Sequence, residues 1–306
     1  MIVVSPSSAN GLMPSPATHP LAIDWTGFNP VPSQFVGVAT FDASDASQVR
    51  RYLDWEAFVR KWELPIGFPE VLDDAEWGDA ARQLLADANE LLSRWLSAGT
   101  LRAEVKFGVW EASAEGDQVT IHPENSASVA ITFPRIPIPA GDLYCLADFI
   151  KPVTALQLGE SDYMGGFAIR LRGPIDELVQ SFITSRDEYR SLLARDLWEL
   201  YRSAVADYLH YRLRRFIWAY CDDDDLSNEE VLAGLQQGIR IDTGAIECHD
   251  PSDETTLLGL LGVKEWLADG EVGEEKHLSP VLSGYFLAHP RSRRLSALTN
   301  ELPIPA

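Results

Sequence analysis

The sequence predicts an α+β fold built on an antiparallel sheet, and three observations lead there. Helical stretches of uneven length are interleaved with short alternating ones, a tight Ala114-Glu115-Gly116-Asp117 turn separates two of the latter, and residues 187–221 form one long amphipathic segment. In that segment apolar residues recur at Tyr189, Leu192/Leu193, Leu197, Leu200/Tyr201, Val205, Tyr208/Leu209, Leu213, Phe216/Ile217 and Tyr220. Steps of three and four keep one face apolar only in a helix. At the helical rise such a helix would run roughly 50 Å, enough to cross a domain.

Taken in order, residues 1–20 are rich in Ser, Pro and Ala and predict a mobile arm, followed by a single domain over 21–306. A proline-marked bend at 29–32 precedes a strand at 35–41. Residues 46–62 read as a helix, continuous or interrupted near Leu53-Asp54-Trp55, with Asp54 a partly buried acid whose ordinary role is to cap a helix. A second amphipathic helix covers 77–98 and closes at Gly99. Strands follow at 105–111 and 119–122, joined as a hairpin, and at 129–133. Residues 145–152 form an apolar segment stopped by proline. The strand at 165–171 is expected to be central, its paired glycines permitting close backbone approach. After the long helix come Asp222 to Asp225 and Ser227-Asn228-Glu229-Glu230, a capping box that opens a short helix. A glycine-bracketed loop, 238–244, then leads to Cys248. Short helical turns at 256–261 and 263–268, a late strand at 281–288 and a possible neighbour at 293–298 complete the chain.

Composition narrows the function. With 25 basic against 46 acidic residues the chain carries −21, which opposes phosphate backbones and anionic lipid, so neither nucleic acid nor membrane is an expected partner. No apolar run approaches the ~18 residues of a spanning helix, and the first residues lack the pattern of a signal peptide. Three widely spaced cysteines build no disulfide framework, and a cytoplasmic setting is expected. Standard nucleotide cradles and zinc patterns are missing. Glu247-Cys248-His249-Asp250 gathers possible ligands, yet neighbours in an extended segment point to opposite faces, so no metal is expected. Glu199, Ser203, Asp207 and His210 form a polar stripe along the long helix. Such a stripe is a solvated face unless it borders a cleft.

Several stretches, in order, carry a resemblance. They are Ile23-Asp24-Trp25, Tyr52-Leu53-Asp54-Trp55-Glu56-Ala57-Phe58, Trp62-Glu63-Leu64, Leu84-Leu85-Ala86-Asp87-Ala88-Asn89, Tyr144-Cys145-Leu146-Ala147-Asp148-Phe149-Ile150 and Asp162-Tyr163-Met164-Gly165-Gly166-Phe167-Ala168. Further along stand Tyr208-Leu209-His210, Arg212, Arg214-Arg215, Trp218-Ala219-Tyr220, Leu226-Ser227-Asn228-Glu229-Glu230, Gly238-Ile239-Arg240, Ser283-Gly284-Tyr285-Phe286 and His289-Pro290. The set resembles the AdoMet-binding activation (reactivation) domain of cobalamin-dependent methionine synthase, here free-standing and divergent.

The resemblance implies a helmet-like α+β domain of methionine biosynthesis and, if the chain is an enzyme, a methyltransferase-associated reactivation subunit of methionine synthase. It implies that AdoMet is presented to a cobalamin on a separate protein, that a flavodoxin-like donor supplies an electron, and that cob(II)alamin is thereby reductively methylated. By the same resemblance Asp54 would take the ammonium of AdoMet and Arg240 its carboxylate. Gly244, Ser203, Tyr285 and Phe286 would complete the ligand site, and Glu199 would face the cobalamin module. Departures stand beside the matches. After its arginine the family has P-A-P-G-Y-P-A-C-P, whereas this chain has Ile241-Asp242-Thr243-Gly244-Ala245-Ile246-Glu247-Cys248-His249. Ser203 replaces a helix acid and Phe286 a late-strand tyrosine. A second reading therefore stands beside the first: the same fold with its pocket rebuilt for another small molecule, without cobalamin.

Overall fold

A computed structural model describes residues 19–21, 23–138, 142–221, 230, 236–270 and 281–292. Its strands are β1 (His19–Pro20), β2 (Gly37–Phe41), β3 (Arg102–Glu115), β4 (Gln118–His122), β5 (Val129–Thr132), β6 (Ile136–Pro137), β7 (Asp142–Tyr144), β8 (Asp162–Arg172), β9 (Ile239–Asp242) and β10 (Leu282–Leu287). The helices are α1 (Ala46–Val49), α2 (Trp55–Lys61), α3 (Gly78–Ser97), α4 (Ile175–Thr184), α5 (Glu188–Arg212) and α6 (Pro251–Leu260). Seven strands form an antiparallel sheet in the order β5-β4-β3-β8-β10-β9, with β2 also on β3. The fold is thus α+β on an antiparallel sheet. A small sheet, β1-β7-β6, lies apart from it.

Register decides which side chains meet. Val109, Gly165, Phe286 and Arg240 stand in one row across β3, β8, β10 and β9. Directly opposed residues share a face of a sheet. On that face Val109, Phe167 and Phe286 pack with Leu197, Tyr201, Val205 and Leu209 of α5. The rows on either side turn to the other face, where Trp110 and Met164 from one and Tyr285 and Ile241 from the other join Leu257 and Leu258 of α6. The paired glycines of β8 act as expected. Gly165 lets the Phe286 and Trp218 side chains come close on one face, and Gly166 does the same for Leu257 and Trp110 on the other.

The long helix is shorter than its periodicity predicts. Asp187 caps it by accepting from the Arg190 N–H at 3.0 Å, but α-helical bonding ends at Arg212. A π-helical turn, Leu213–Ile217, follows, and Ala219 closes the segment at φ 63°. There the amides of Trp218 and Ala219 both reach the Leu213 carbonyl. The 46–62 helix is interrupted: Leu53 is extended and Asp54 restarts the chain as the cap of α2. The 238–244 segment, read as a loop, is strand β9. The helix α4, the short strands β6 and β7, and the pairing of β1 with β7 add to what the sequence predicts. The expectation of an arm over 1–20 fails at its end, where His19 and Pro20 are held as strand β1 by pairing with β7. Residues 1–18, the capping-box helix apart from Glu230, and the 293–298 strand lie outside the described residues. No helix among the described residues is long and apolar enough to cross a membrane.

One glycine holds β9 to the sheet. A Cβ on Gly284 would overlap the Ile241 carbonyl oxygen and lie 2.9 Å from both Asp242 Cα and Phe167 Cε1. Two of these neighbours are backbone, so the strand pair itself would have to part. Gly284→Ala is therefore expected to destabilise the chain by about 2 kcal/mol or more. Urea denaturation checks this, and unchanged stability would show that β9 yields freely.

Candidate functional site

Arg240 is the centre of the polar chemistry on the α5 face. It sits on edge strand β9, its side chain 6% exposed. Nη1 donates to the Ser203 carbonyl at 3.1 Å and to Asp207 Oδ1 at 2.8 Å. Nη2 donates to Ser203 Oγ at 3.1 Å and to Asp242 Oδ2 at 3.0 Å. Nε lies 2.9 Å from Asp242 Oδ1, off the hydrogen-bonding direction. Burial opposes the charge of Arg240, but the Asp207 and Asp242 carboxylates outweigh it and hold its pKa above the ordinary arginine range.

The local fold places these partners. Ser203 and Asp207 are four apart on α5 and so lie on one helix face. Asp242 is two residues beyond Arg240 on β9, on the same side of the sheet. The turn after Asp242 is fixed from both sides. Thr243 donates its amide to the Ser283 carbonyl at 2.8 Å, its hydroxyl pairs with Ser283 Oγ at 2.7 Å, and Ser283 Oγ donates to Glu254 Oε1 at 2.9 Å. Gly244, at φ 89°, donates to the Cys248 carbonyl and closes the turn. Buried Arg202, one residue before Ser203, lies in the field of Glu199, Asp242 and Glu254, while its burial lowers its pKa.

Asp54 occupies the N-cap of α2, where Oδ1 accepts from the Ala57 N–H at 2.8 Å. It is half-buried, and Oδ2 has no partner among the described residues. Two residues earlier, Tyr52 packs on Tyr208 with ring centroids 5.8 Å apart. Tyr208 follows Asp207, so α5 carries the Arg240 partner and the aromatic contact of the Asp54 segment in adjacent positions. The Asp54 segment thus reaches α5 through Tyr52, one position from the Arg240 partner Asp207, and no hydrogen bond or ion pair joins Asp54 to Arg240 among the described residues.

The remaining predicted residues divide. Ser203 and Phe286 belong to the Arg240 side, Phe286 stacking between Phe167 at 4.8 Å and His210 at 5.0 Å. Tyr285 belongs to the opposite face, fully buried against Phe133, with its hydroxyl on the Asp253 carbonyl. Gly244 is on the exposed turn. Glu199 is engaged by Lys61 of α2 at 2.8 Å, beside a second Lys61 contact to Asp196 at 2.7 Å. The polar stripe is thus split three ways, since His210 turns to the Tyr220 hydroxyl at 3.0 Å. Cys248 is buried beside Asp253, and burial followed by the nearby carboxylates pushes its thiol up to about 12, so it is an inert thiol. No group of three or more potential metal ligands is found among the described residues. Sequence reasoning placed Asp207 only in a stripe and Asp242 only among the departures. The i, i+4 spacing of Ser203 and Asp207 and the alternation Ile239-Arg240-Ile241-Asp242 were the signals that could have paired them with Arg240.

The chain is matched over residues 45–298 by the family model described as vitamin B12 dependent methionine synthase, activation domain. It belongs to that family. Among solved structures it is similar to the crystal structure of a MetH reactivation domain bound to AdoHcy. The TM-score is 0.79 at 29% identity, over 90% of this chain and 86% of that one.

The ion cluster has a stability consequence. Arg240→Met would leave Asp207 and Asp242 facing each other without their shared cation, which is expected to cost about 3–5 kcal/mol. Adding Asp242→Ala to that variant should recover part of the loss, because one stranded carboxylate is removed. Urea denaturation of the two single variants and the double variant measures the coupling, and strict additivity would remove the cluster as a unit.

Proposed function

We propose that this member of the methionine synthase activation-domain family presents AdoMet to a cobalamin carried by a separate protein, supporting the reductive methylation of cob(II)alamin. The supporting observation is the site just described: a buried, pre-oriented arginine on the α5 face of a fold shared with an AdoHcy-bound reactivation domain. In that reaction AdoMet gives up its methyl group, with the C–S electron pair remaining on sulfur to leave AdoHcy. One electron from a flavodoxin-like donor balances the reduction.

The residues fit the amino-acid end of such a ligand in different degrees. Asp54 offers a carboxylate oxygen with no partner among the described residues, suited to an ammonium. Arg240 offers the planar fork that matches a carboxylate, although the chain already fills it. Phe286, opposite Arg240 in the sheet register and stacked on His210, forms the packed floor on which that fork rests. Glu199, with Lys61, would present a mixed-charge surface to the cobalamin-bearing partner.

A second reading is favoured by one observation, the occupation of Arg240 by Asp207 and Asp242. On this reading the pocket serves a small molecule without a free carboxylate, and no cobalamin partner is involved. Co-purification with a cobalamin protein separates the two. The first expects retention of such a protein, the second none.

The ligand test uses Asp54→Ser, which keeps an N-cap acceptor for the Ala57 amide but removes the charge. Stability should stay within about 0.5 kcal/mol, since Ser and Asp cap comparably. AdoHcy affinity in calorimetry should nevertheless fall about tenfold, as the ammonium loses a charge-assisted partner. No saturable heat from AdoMet or AdoHcy with the unaltered chain at millimolar ligand would sink the first reading. An unchanged affinity in Asp54→Ser would remove Asp54 from the site.

A further inference from the structure

We propose that Asp242 is a specificity-determining residue, a built-in carboxylate that occupies the edge of Arg240 an incoming ligand carboxylate would need. The inference rests on the reading that an AdoMet-type ligand binds on this face.

A guanidinium offers five N–H donors along two usable edges. The edge formed by Nε and Nη2 faces both oxygens of Asp242, at 2.9 and 3.0 Å. The remaining donors are directed at Asp207, the Ser203 carbonyl and the Ser203 hydroxyl. The four Nη donors are bonded by the chain itself and Nε is covered by Asp242 Oδ1 at 2.9 Å without a hydrogen bond, so a ligand carboxylate can reach the Nε–Nη2 edge only where Asp242 now stands. It has to displace a resident group.

Exposure identifies which one. The Asp242 side chain is 32% exposed, against 18% for Asp207 and 6% for Arg240. Asp207 and Ser203 are anchored in the long helix α5, whereas Asp242 ends a four-residue edge strand. The Asp242 backbone is still well fixed, by the Thr243–Ser283 bonds on one side and by the close approach of Gly284 on the other. Displacement therefore needs only a side-chain rotation.

Charge sets the cost of that rotation. Arg240 and Arg202 together face Asp207, Asp242 and Glu254, with Glu199 already held by Lys61, so the cluster is net negative and a further carboxylate would arrive against like charge. Removing Asp242 would both open the edge and lift the repulsion. The same substitution should not affect a ligand that lacks an amino-acid end. AdoHcy and 5′-methylthioadenosine make the comparison, because both are adenosine thioethers and only AdoHcy has the carboxylate.

Asp242→Ala and Asp242→Asn of the full chain are titrated with both compounds by calorimetry. Melting temperatures are also measured in acetate and in chloride at equal ionic strength, with acetate as a simple carboxylate. Asp242→Ala is expected to bind AdoHcy about tenfold or more tightly than the unaltered chain, while 5′-methylthioadenosine changes less than about twofold. Asp242→Asn should shift in the same direction. Acetate should raise the melting temperature of both variants relative to chloride and leave the unaltered chain unmoved. The proposal is overturned if acetate stabilises the variants no more than the unaltered chain, or if AdoHcy binds the unaltered chain as tightly as the variants. If no form binds either adenosine compound, the AdoMet reading fails, and the acetate comparison still decides whether Asp242 closes the Arg240 edge.

Discussion

A buried guanidinium must be neutralised where it stands, and Arg240 meets that requirement with groups from two elements. Asp207 and Ser203 come from α5, while Asp242 comes from the edge strand β9. An ion pair of this kind contributes less by its attraction than by the penalty for separating it. The cluster therefore fixes position: it sets the height of α5 against the last strand of the sheet. It also protects that edge, since β9 is short and its inward-facing residues are charged, two features that discourage further strand pairing.

That placement governs the rest of the α5 face. The row containing Arg240 continues through Phe286 to Gly165, where the missing Cβ admits both Phe286 and Trp218. Phe286 in turn stacks on His210, one turn beyond Asp207 and held by Tyr220. Polar and aromatic groups are thus locked in sequence from the sheet edge toward its centre. On the opposite face Thr243 and Ser283 form a smaller polar set with Glu254, and Tyr285 is part of its packed interior.

How far the sequence disclosed this arrangement depended on the range of the interactions involved. The period of α5 was legible to Arg212, because a helix imposes its repeat on every turn. The π-helical turn was not, since Phe216, Ile217 and Tyr220 continue an apolar pattern that a small change in backbone winding does not interrupt. Helix α4 carried its signal in Ile175, Leu178, Val179, Phe182 and Ile183, yet was not predicted. Strand β9 was hidden by its bracketing glycines, Gly238 at φ 79° and Gly244 at φ 89°, which mark its ends rather than a loop. Asp54 was legible locally as a helix cap, which it is, and Arg240 as the one arginine of a polar segment; their roles toward a ligand came through resemblance alone. The pairing of Arg240 with Asp207 is set by tertiary packing across 33 positions, and no local pattern encodes it.

Asp242 also changes how the site would sense charge at long and short range. The chain as a whole carries −21, so a cationic ligand is drawn toward it and an anionic one is repelled, within the limits set by salt screening. AdoMet combines a sulfonium, an ammonium and a carboxylate, whereas AdoHcy has lost the sulfonium charge. An open arginine would recognise both through the same carboxylate and discriminate little between them. With Asp242 on Arg240 that shared interaction would be weakened, because the ligand carboxylate would meet a resident one. Recognition would then lean on the cationic groups, which favour the methyl donor over its demethylated product. The substitution that departs from the family's loop would thus trade strength of binding for discrimination between the two, a trade available to a site only when its arginine is held by an internal competitor.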